Sequence, residues 1–289
     1  MLEVIGETLI DSIKILPFLF ITYLIMEYIE HKMGEKSKSV IKKSGKFGPI
    51  IGSFLGIFPQ CGFSVSATNL YAGRVITLGT LIAVYLSTSD EMLPIFISEA
   101  VSPVIILKIL GIKLLIGMIA GFIIDFVIRA INKKKQKNND ENIEIETLCE
   151  HDHCHCEDGS ILKSALKHTI NIFIFIIIIT FIINVAVYLI GEENISNLLL
   201  NRKILGPVIA SLIGLIPNCA ASVIITNMYL ENLISAGSMI AGLLTGAGVG
   251  LAVLFKTNKN LKENIKIVVL LYAIGVISGM ILELVGLQL

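Results

Sequence analysis

The chain has 289 residues, of which 54% are hydrophobic, and its formal net charge is zero; the mean hydropathy is +0.83. Several apolar runs approach the ~20 residues that a helix needs to cross a bilayer. The sequence therefore predicts a polytopic membrane protein. Its charges are concentrated between the apolar segments, so they give no sign of a nucleic-acid partner.

The five cysteines fall into two sets. Cys149, Cys154 and Cys156 lie in one polar segment, whereas Cys61 and Cys219 lie in two distant apolar segments. This distribution argues against a disulfide scaffold. The sequence contains no recognisable nucleotide-binding loop or catalytic triad. We therefore expect a protein that is not an enzyme and that takes any energy it needs from an ion gradient.

The first apolar segment is expected to stay in the mature protein. Residues 1–16 carry Glu3, Glu7 and Asp11 and lack both a basic start and a small-residue cleavage site. A removable signal peptide is therefore not predicted.

An internal duplication relates the two halves of the chain with an offset of 158 residues. The stretch GPIIGSFLGIFPQCGFSVSATNLY (48–71) aligns without a gap with GPVIASLIGLIPNCAASVIITNMY (206–229). Glycine, proline, cysteine, serine, threonine and asparagine recur at matched positions, which apolar composition alone would not produce. The same offset pairs three later positions: Gly117 with Gly275, Gly121 with Gly279, and Asp125 with Glu283.

Each half is predicted to contain the same series of apolar segments. In the first half they are expected at about 9–29, 48–59, 62–72, 75–96 and 104–128. In the second half they are expected at about 168–190, 206–217, 220–230, 233–255 and 265–287. A 12-residue piece spans only about 18 Å, less than the ~30 Å hydrocarbon core. Each short pair is therefore one broken spanning helix or the two arms of a re-entrant hairpin.

Charged loops predict that the two halves have opposite orientations in the membrane. The loop 32–46 carries six lysines, whereas its equivalent in the second half carries two acidic and two basic residues. Farther along the bias is reversed, because 97–107 has no Lys or Arg and the matching loop has Lys256, Lys259 and Lys262. Basic loops are usually cytoplasmic. Equivalent loops on opposite sides require an odd number of crossings per half, and hence two repeats of inverted topology.

The predicted fold is therefore an all-α polytopic membrane protein with two inverted-topology repeats. Their broken helices or re-entrant hairpins are expected to meet at the membrane midplane. We assign 1–130 to the first membrane repeat, 131–164 to a cytoplasmic His/Cys-rich linker, and 165–289 to the second membrane repeat.

The matched breaks PQCG (59–62) and PNCA (217–220) are the first candidates for a substrate site. Discontinuous helices of inverted-repeat transporters present backbone groups to the substrate, and thiols and amide oxygens suit a soft or borderline metal. The alternative is that proline and glycine kink two packed helices and that both cysteines are ordinary small apolar residues. The predicted pathway residues here are Pro59, Gln60, Cys61, Ser64, Thr68, Asn69, Pro217, Asn218, Cys219, Ser222, Thr226 and Asn227. For the Thr-Asn pairs, hydrogen bonding between helices is an equal alternative.

A polar run interrupts the fourth segment of the first half: Ser87, Thr88, Ser89, Asp90 and Glu91. An acid at the bilayer centre costs roughly 2.5–3.5 kcal/mol and is a functional candidate by default. Asp90 and Glu91 are therefore predicted to carry protons or, with Cys61 and Cys219, to bind a metal ion. The second half has the glycine-rich sequence TGAGVG at the equivalent place. The alternative puts both acids at an aqueous boundary near the end of the span.

The polar segment 138–159 contains CEHDHCHCEDG. Imidazole and thiolate groups at this density suit Zn, Cu or Ni. Their spacing matches no rigid zinc finger, so the segment is predicted to be a flexible metal-collecting tract. Its candidate ligands are Cys149, His151, His153, Cys154, His155 and Cys156. The alternative is a solvated loop with incidental histidines and cysteines.

With these motifs together, the chain resembles the family of ten-segment heavy-metal exporters, whose members carry labels such as manganese transporter or arsenic efflux protein. The resemblance covers essentially the whole chain and rests on FPQCG, IPNCA, STSDE, TGAGVG and the His-rich central loop. It implies export of a metal or metalloid across a prokaryotic cell membrane. The heavy-metal label fits the Cys/His tract, whereas manganese fits Asp90 and Glu91 better because Mn²⁺ prefers oxygen ligands.

The leading hypothesis is gradient-driven efflux of a metal cation, with Mn²⁺ or a related divalent ion ahead of arsenite. The expected partners are the ion and the lipid bilayer, a homo-oligomer is allowed, and no cofactor is required. One alternative is a carrier of a small anionic or sulfur-containing solute that uses the helix N-termini as an anion site. Another is a membrane metal sensor that transports nothing. Cation transport requires Asp90 and Glu91, anion transport requires the tips alone, and a sensor binds without flux.

Overall fold

A computed structural model describes residues 2–32, 45, 47–58, 61–89, 91–135, 161–190 and 205–286. Within these ranges the chain is helical and contains no strand. The helices of the first half are α1 (Leu2–Lys32), α2 (Gly48–Gly56), α3 (Cys61–Ala72), α4 (Leu78–Ser87), α5 (Met92–Ser98) and α6 (Pro103–Lys135). Those of the second half are α7 (Ile161–Ile190), α8 (Gly206–Gly214), α9 (Cys219–Leu230), α10 (Ala236–Thr245), α11 (Gly250–Thr257) and α12 (Leu261–Val285).

The helix boundaries repeat with the offset that the sequence predicts. The helices α2, α3 and α4 begin and end 158 residues before α8, α9 and α10, respectively. Six stretches are long and apolar enough to cross a membrane, three in each half: Thr8–Ile25, Leu78–Ser98, Pro103–Ile131, Ala165–Val185, Ala236–Thr257 and Leu261–Val285. The prediction of an all-α membrane protein is confirmed for the described residues, and the inverted orientation of the repeats stays a prediction.

The fourth segment of each half is two helices rather than one continuous span. In the first half α4 ends at Ser87 and α5 begins at Met92, and in the second half α10 ends at Thr245 and α11 begins at Gly250. The breaks coincide with STSDE and TGAGVG. Serine and threonine compete for the helix carbonyls, and glycine loses the most backbone entropy in a helix, so both sequences favour an ending there.

The short segments form hairpins, because α2 runs parallel to α4 at close range. Along α2, Gly48 faces Thr80, and Gly56 faces Ser87 near the end of α4. Only five residues separate the end of α3 from the start of α4, and they reach at most about 20 Å. One straight helix through 48–72 would be about 36 Å long, so α3 must return toward the start of α2. The second half repeats this geometry, with Gly206 at Ser238 and Gly214 at Gly242 and Thr245.

Small residues allow α4 to pack closely and antiparallel to α6. A Cβ at Gly121 would lie 2.6 Å from the carbonyl oxygen of Gly79, and one at Gly117 would lie 2.9 Å from that of Ala83. The pair α10 and α12 has the same contacts, made by the glycines of the second copy. Close backbone approach of this kind is typical of helix association in membranes.

The broken spans lie at the centre of the molecule and the continuous spans lie around them. The spans Leu78–Ser98 and Ala236–Thr257 are 71% and 89% buried, whereas the four continuous spans are 22–36% buried. Backbone groups that a helix break leaves unbonded are thus kept inside protein, as a membrane environment requires.

We expect Gly121→Ala to destabilise the fold and Gly111→Ala to leave it intact. The new methyl group at position 121 would overlap the backbone of α4, which cannot give way as a flexible side chain can. At Gly111, in the same helix, a Cβ meets nothing within 4 Å, and alanine favours a helix over glycine by roughly 0.5–1 kcal/mol. Thermal unfolding of the two purified variants in detergent measures the difference. Equal unfolding temperatures would contradict the proposed packing of α4 on α6.

Candidate functional site

The two matched cysteines lie against each other in a buried cluster that both halves of the chain line. The Sγ atoms of Cys61 and Cys219 are 3.2 Å apart although the residues are 158 positions apart in the chain. Both residues are buried, with 9% and 7% of their surface exposed, and the two cysteines do not form a disulfide. The structure thus brings the cysteines of the two matched breaks together, whereas the depth of the breaks in a membrane stays a prediction. Pro59 and Gln60 lie outside the described residues.

Both cysteines occupy the first position of a helix that follows a hairpin turn. Cys61 begins α3 and Cys219 begins α9, and the side chain of Asn218 makes no capping hydrogen bond to α9. The Ser64 hydroxyl donates to the Cys61 carbonyl at 2.8 Å, and the Ser222 hydroxyl donates to the Cys219 carbonyl at 2.8 Å. Two helix N-termini therefore converge on one thiol pair, and their dipoles favour negative charge there.

Apolar side chains from both halves enclose the thiol pair. The cluster that contains the two cysteines also contains Ile15, Leu19 and Tyr23 of α1, Ile172 and Ile176 of α7, and Val249 and Val253 at α11. The helices α1 and α7 pack along each other over this cluster. The site is therefore shielded from bulk solvent. Contacts to a charged or polarisable ligand are stronger in such an enclosed site than in water.

The amide of Asn218 fixes the second tip to the two outer helices. Asn218 is buried and donates from Nδ2 to the Oδ1 atom of Asn184 in α7. Asn184 in turn donates to the Thr8 hydroxyl of α1 at 2.9 Å. The predicted pathway residue Asn218 thus joins the tip to α7 and α1, while Pro217 beside it is half-buried.

The two Thr-Asn pairs have different surroundings. The hydroxyl of Thr68 lies 2.6 Å from that of Tyr85 and 3.2 Å from the carbonyl oxygen of Gly250. Asn69 accepts a hydrogen bond from the Tyr23 hydroxyl at 3.3 Å. In the first half these contacts favour hydrogen bonding between helices over cavity lining.

In the second half, Thr226 is buried and its hydroxyl has no hydrogen-bond partner among the described residues. Asn227 is exposed, so it does not line an interior site in this conformation.

The hydroxyls of the STS run bond to nearby backbone carbonyls. Ser87 donates to the Ala83 carbonyl at 2.7 Å, Thr88 donates to the Val84 carbonyl at 2.7 Å, and Ser89 donates to the Ser87 carbonyl at 3.1 Å. All three residues are buried. The hydroxyls of Ser87 and Thr88 therefore give carbonyl groups near the end of α4 a second hydrogen-bond donor, a local contact that competes with continuation of the helix.

The predicted acidic metal site is described only in part. Glu91 is half-buried and immediately precedes α5, and Asp90 lies outside the described residues. The described residues contain no group of three or more His, Cys, Asp or Glu that could hold a metal ion. The candidate ligands of the central tract all lie outside the described residues: Cys149, His151, His153, Cys154, His155 and Cys156. Metal binding by the acids and by the tract stays a prediction.

Sequence reasoning missed Lys113, which is fully buried in the first third of α6. Its ammonium group donates to the Thr88 carbonyl oxygen and, at 3.0 Å, to the Leu243 carbonyl oxygen. A lysine inside an apolar span is itself a functional signal. It also extends the recognised series Gly117, Gly121 and Asp125 by one helical turn toward the start of α6.

The matched acids Asp125 and Glu283 bind the start of a neighbouring helix. Asp125 accepts from the Thr77 hydroxyl at 2.7 Å and from the Gly79 amide at 2.9 Å. Glu283 accepts from the Ser235 hydroxyl. A carboxylate at a helix N-terminus is stabilising, so these acids anchor α4 and α10 rather than form part of the cysteine site.

We expect oxidation to join Cys61 and Cys219 in a variant that lacks the three linker cysteines. Their sulfur atoms are already in contact, so diamide should give an intramolecular disulfide in high yield. Mass spectrometry of the digested protein identifies the linked peptides, and the further change Cys219→Ser serves as the control. Recovery of both thiols unoxidised from a diamide-treated, folded sample would contradict the contact.

Comparison with protein families agrees with this architecture. A family model, ArsP_2, described as "Putative, 10TM heavy-metal exporter", matches residues 2–190 and 175–288. Searches of curated proteins and of solved structures found no match. Because the family matches cover nearly the whole chain, and because the helices include six apolar spans, this multi-pass membrane protein belongs to the ArsP_2 family.

Proposed function

We propose that the protein exports a thiophilic heavy-metal or metalloid ion and that Cys61 and Cys219 together bind it. The observation that carries the proposal is the 3.2 Å separation of the two thiols. Both repeats form the site, because each repeat contributes one of the two matched cysteines. A substrate held between them contacts both repeats at once, as transport by their relative movement requires.

The chemistry of the pair favours a soft ion. Thiolate ligands select soft metals, whereas Mn²⁺ prefers oxygen, and within the described residues no carboxylate cluster accompanies the cysteines. Arsenite fits the pair because each thiol can replace one hydroxyl group of As(OH)₃. Two As–S bonds form, two As–O bonds break, and the two thiol protons leave with the hydroxyl groups as two water molecules. The product is neutral and suits the apolar enclosure of the site.

The proposed architecture consists of two inverted repeats with re-entrant hairpins. Each half has three apolar spans and one hairpin, so the chain crosses an odd number of times per half and the second half starts from the opposite side. The six spans and the four short hairpin arms make ten apolar segments, the number in the family description. In this arrangement the basic loop 32–46 and the His/Cys-rich linker are cytoplasmic.

Polar contacts also join the two repeats away from the thiol pair. At the end of α3, Arg74 binds Glu263 of α12 at 3.1 Å, and the Tyr71 hydroxyl donates to the same carboxylate. These polar contacts join the first repeat to the second away from the thiol pair. In the proposed cycle they open when the repeats separate on that side, and the ion gradient supplies the energy.

We expect Cys61→Ser and Cys219→Ser each to lower arsenite uptake into inside-out vesicles by at least about tenfold, a loss of about 1.4 kcal/mol. Serine keeps the size of the side chain and removes the soft ligand, so the folded yield should not change. The matched control replaces Cys149, Cys154 and Cys156 by serine, and it should retain flux because the linker lies outside the duplicated core.

The same vesicles separate this proposal from manganese transport. The sequence placed manganese ahead of arsenite as the substrate. If manganese is the substrate, Asp90→Asn and Glu91→Gln should each lose Mn²⁺ uptake. Arsenite uptake that is unchanged in both serine variants, together with Mn²⁺ uptake that depends on the acids, would refute the thiol site and favour a hard cation.

A further inference from the structure

The ammonium group of Lys113 lies where a helix break in each repeat exposes carbonyl groups. Lys113 is fully buried, and an isolated charge in the protein interior is costly unless polar groups compensate it. It is held by the Thr88 carbonyl at the end of α4 and by the Leu243 carbonyl, 3.0 Å away, in the last turn of α10. One carbonyl comes from each repeat.

Helix ends make this position favourable for a positive charge. The last carbonyls of a helix have no helical partners, and the helix dipole makes that end negative. The carbonyl groups of Thr88 and Leu243 therefore favour a positive charge between them, and the lysine side chain reaches this position from the neighbouring helix α6. In transporters with discontinuous helices, comparable half-helix ends coordinate a coupling cation such as Na⁺.

The second repeat has no such charge at the matching position. The residue 158 positions after Lys113 is Leu271, which is also fully buried. The two repeats thus share the helix break, the small-residue packing and the acid of the pair Asp125 and Glu283. They differ at the position of Lys113 and Leu271. The difference places a single positive charge beside the breaks of both repeats.

We propose that Lys113 is a tethered cation: its ammonium group occupies a carbonyl site for a monovalent cation that is built by α4 and α10 together. The chain itself supplies the charge that fixes the two broken helices to each other. Transport therefore needs neither Na⁺ nor K⁺ to fill this site. When the side chain is shortened, the site should accept an ammonium or small alkylammonium ion from solution. This inference does not depend on which substrate the thiol pair binds.

The test uses Lys113→Ala and the matched truncation Leu271→Ala in the full-length protein. Alanine at 113 removes the three outer carbons and the ammonium group, which propylammonium replaces atom for atom. We expect both variants to lose thermal stability in detergent. Propylammonium chloride should then raise the Tm of Lys113→Ala by at least about 3 °C, whereas choline chloride at equal concentration should not. Neither salt should change the Tm of Leu271→Ala.

An equal response of the two variants to propylammonium, or no response in either, would overturn the proposal. If Lys113→Ala cannot be purified, the variants Lys113→Arg and Lys113→Met test the proposal instead. Arsenite uptake into inside-out vesicles is then measured in sodium-free buffer. Arginine keeps the charge and should keep measurable flux, whereas methionine keeps only apolar volume and should lose it. Equal flux in these two variants would also overturn the proposal. Because the Tm measurement involves no transported ion, a failure of the thiol hypothesis would leave its result unaffected.

Discussion

The structure depends on one constraint: a helix that breaks inside a membrane must have its unbonded backbone groups satisfied by protein. The broken spans Leu78–Ser98 and Ala236–Thr257 meet this constraint because the continuous helices surround them. The hydroxyls of Ser87 and Thr88 bond to carbonyls of α4, and Lys113 bonds to carbonyls of both breaks. Glycines such as Gly117 and Gly121 let the continuous helices approach the broken spans closely enough to cover their backbone groups.

Duplication places equivalent breaks together, and the substitutions between the copies give the centre its chemistry. The two hairpin tips each supply one thiol, so the pair is symmetric in composition. The broken spans of the two copies differ in composition: Lys113 beside them corresponds to Leu271, and the sequence STSDE corresponds to TGAGVG. The two repeats therefore share their helix packing but differ in charge at the breaks of the fourth segments.

Much of the fold could be predicted from the sequence because each half gives independent evidence for the other. Matched prolines and cysteines mark the breaks in both copies. The contact between Cys61 and Cys219 followed from that symmetry. The interruption of the fourth segments into separate helices was harder to predict, because apolar residues continue on both sides of it. The presence of Lys113 in an apolar span was a usable signal that was missed, whereas its bonds to the backbone carbonyl groups of two other helices could not be predicted, because backbone atoms carry no sequence pattern. Asn69 is buried and Asn227 is exposed. This difference depends on tertiary packing, which the local sequence does not encode.

The central claim, that the thiol pair binds the transported ion, is tested most directly by X-ray absorption spectroscopy at the arsenic edge. The sample is the purified protein with its three linker cysteines replaced by serine, loaded with arsenite at one equivalent. We expect a first shell around arsenic with two sulfur neighbours, which reverts to oxygen when Cys61 and Cys219 are also replaced. An oxygen-only shell around arsenic that remains bound to the protein with both cysteines intact would contradict it.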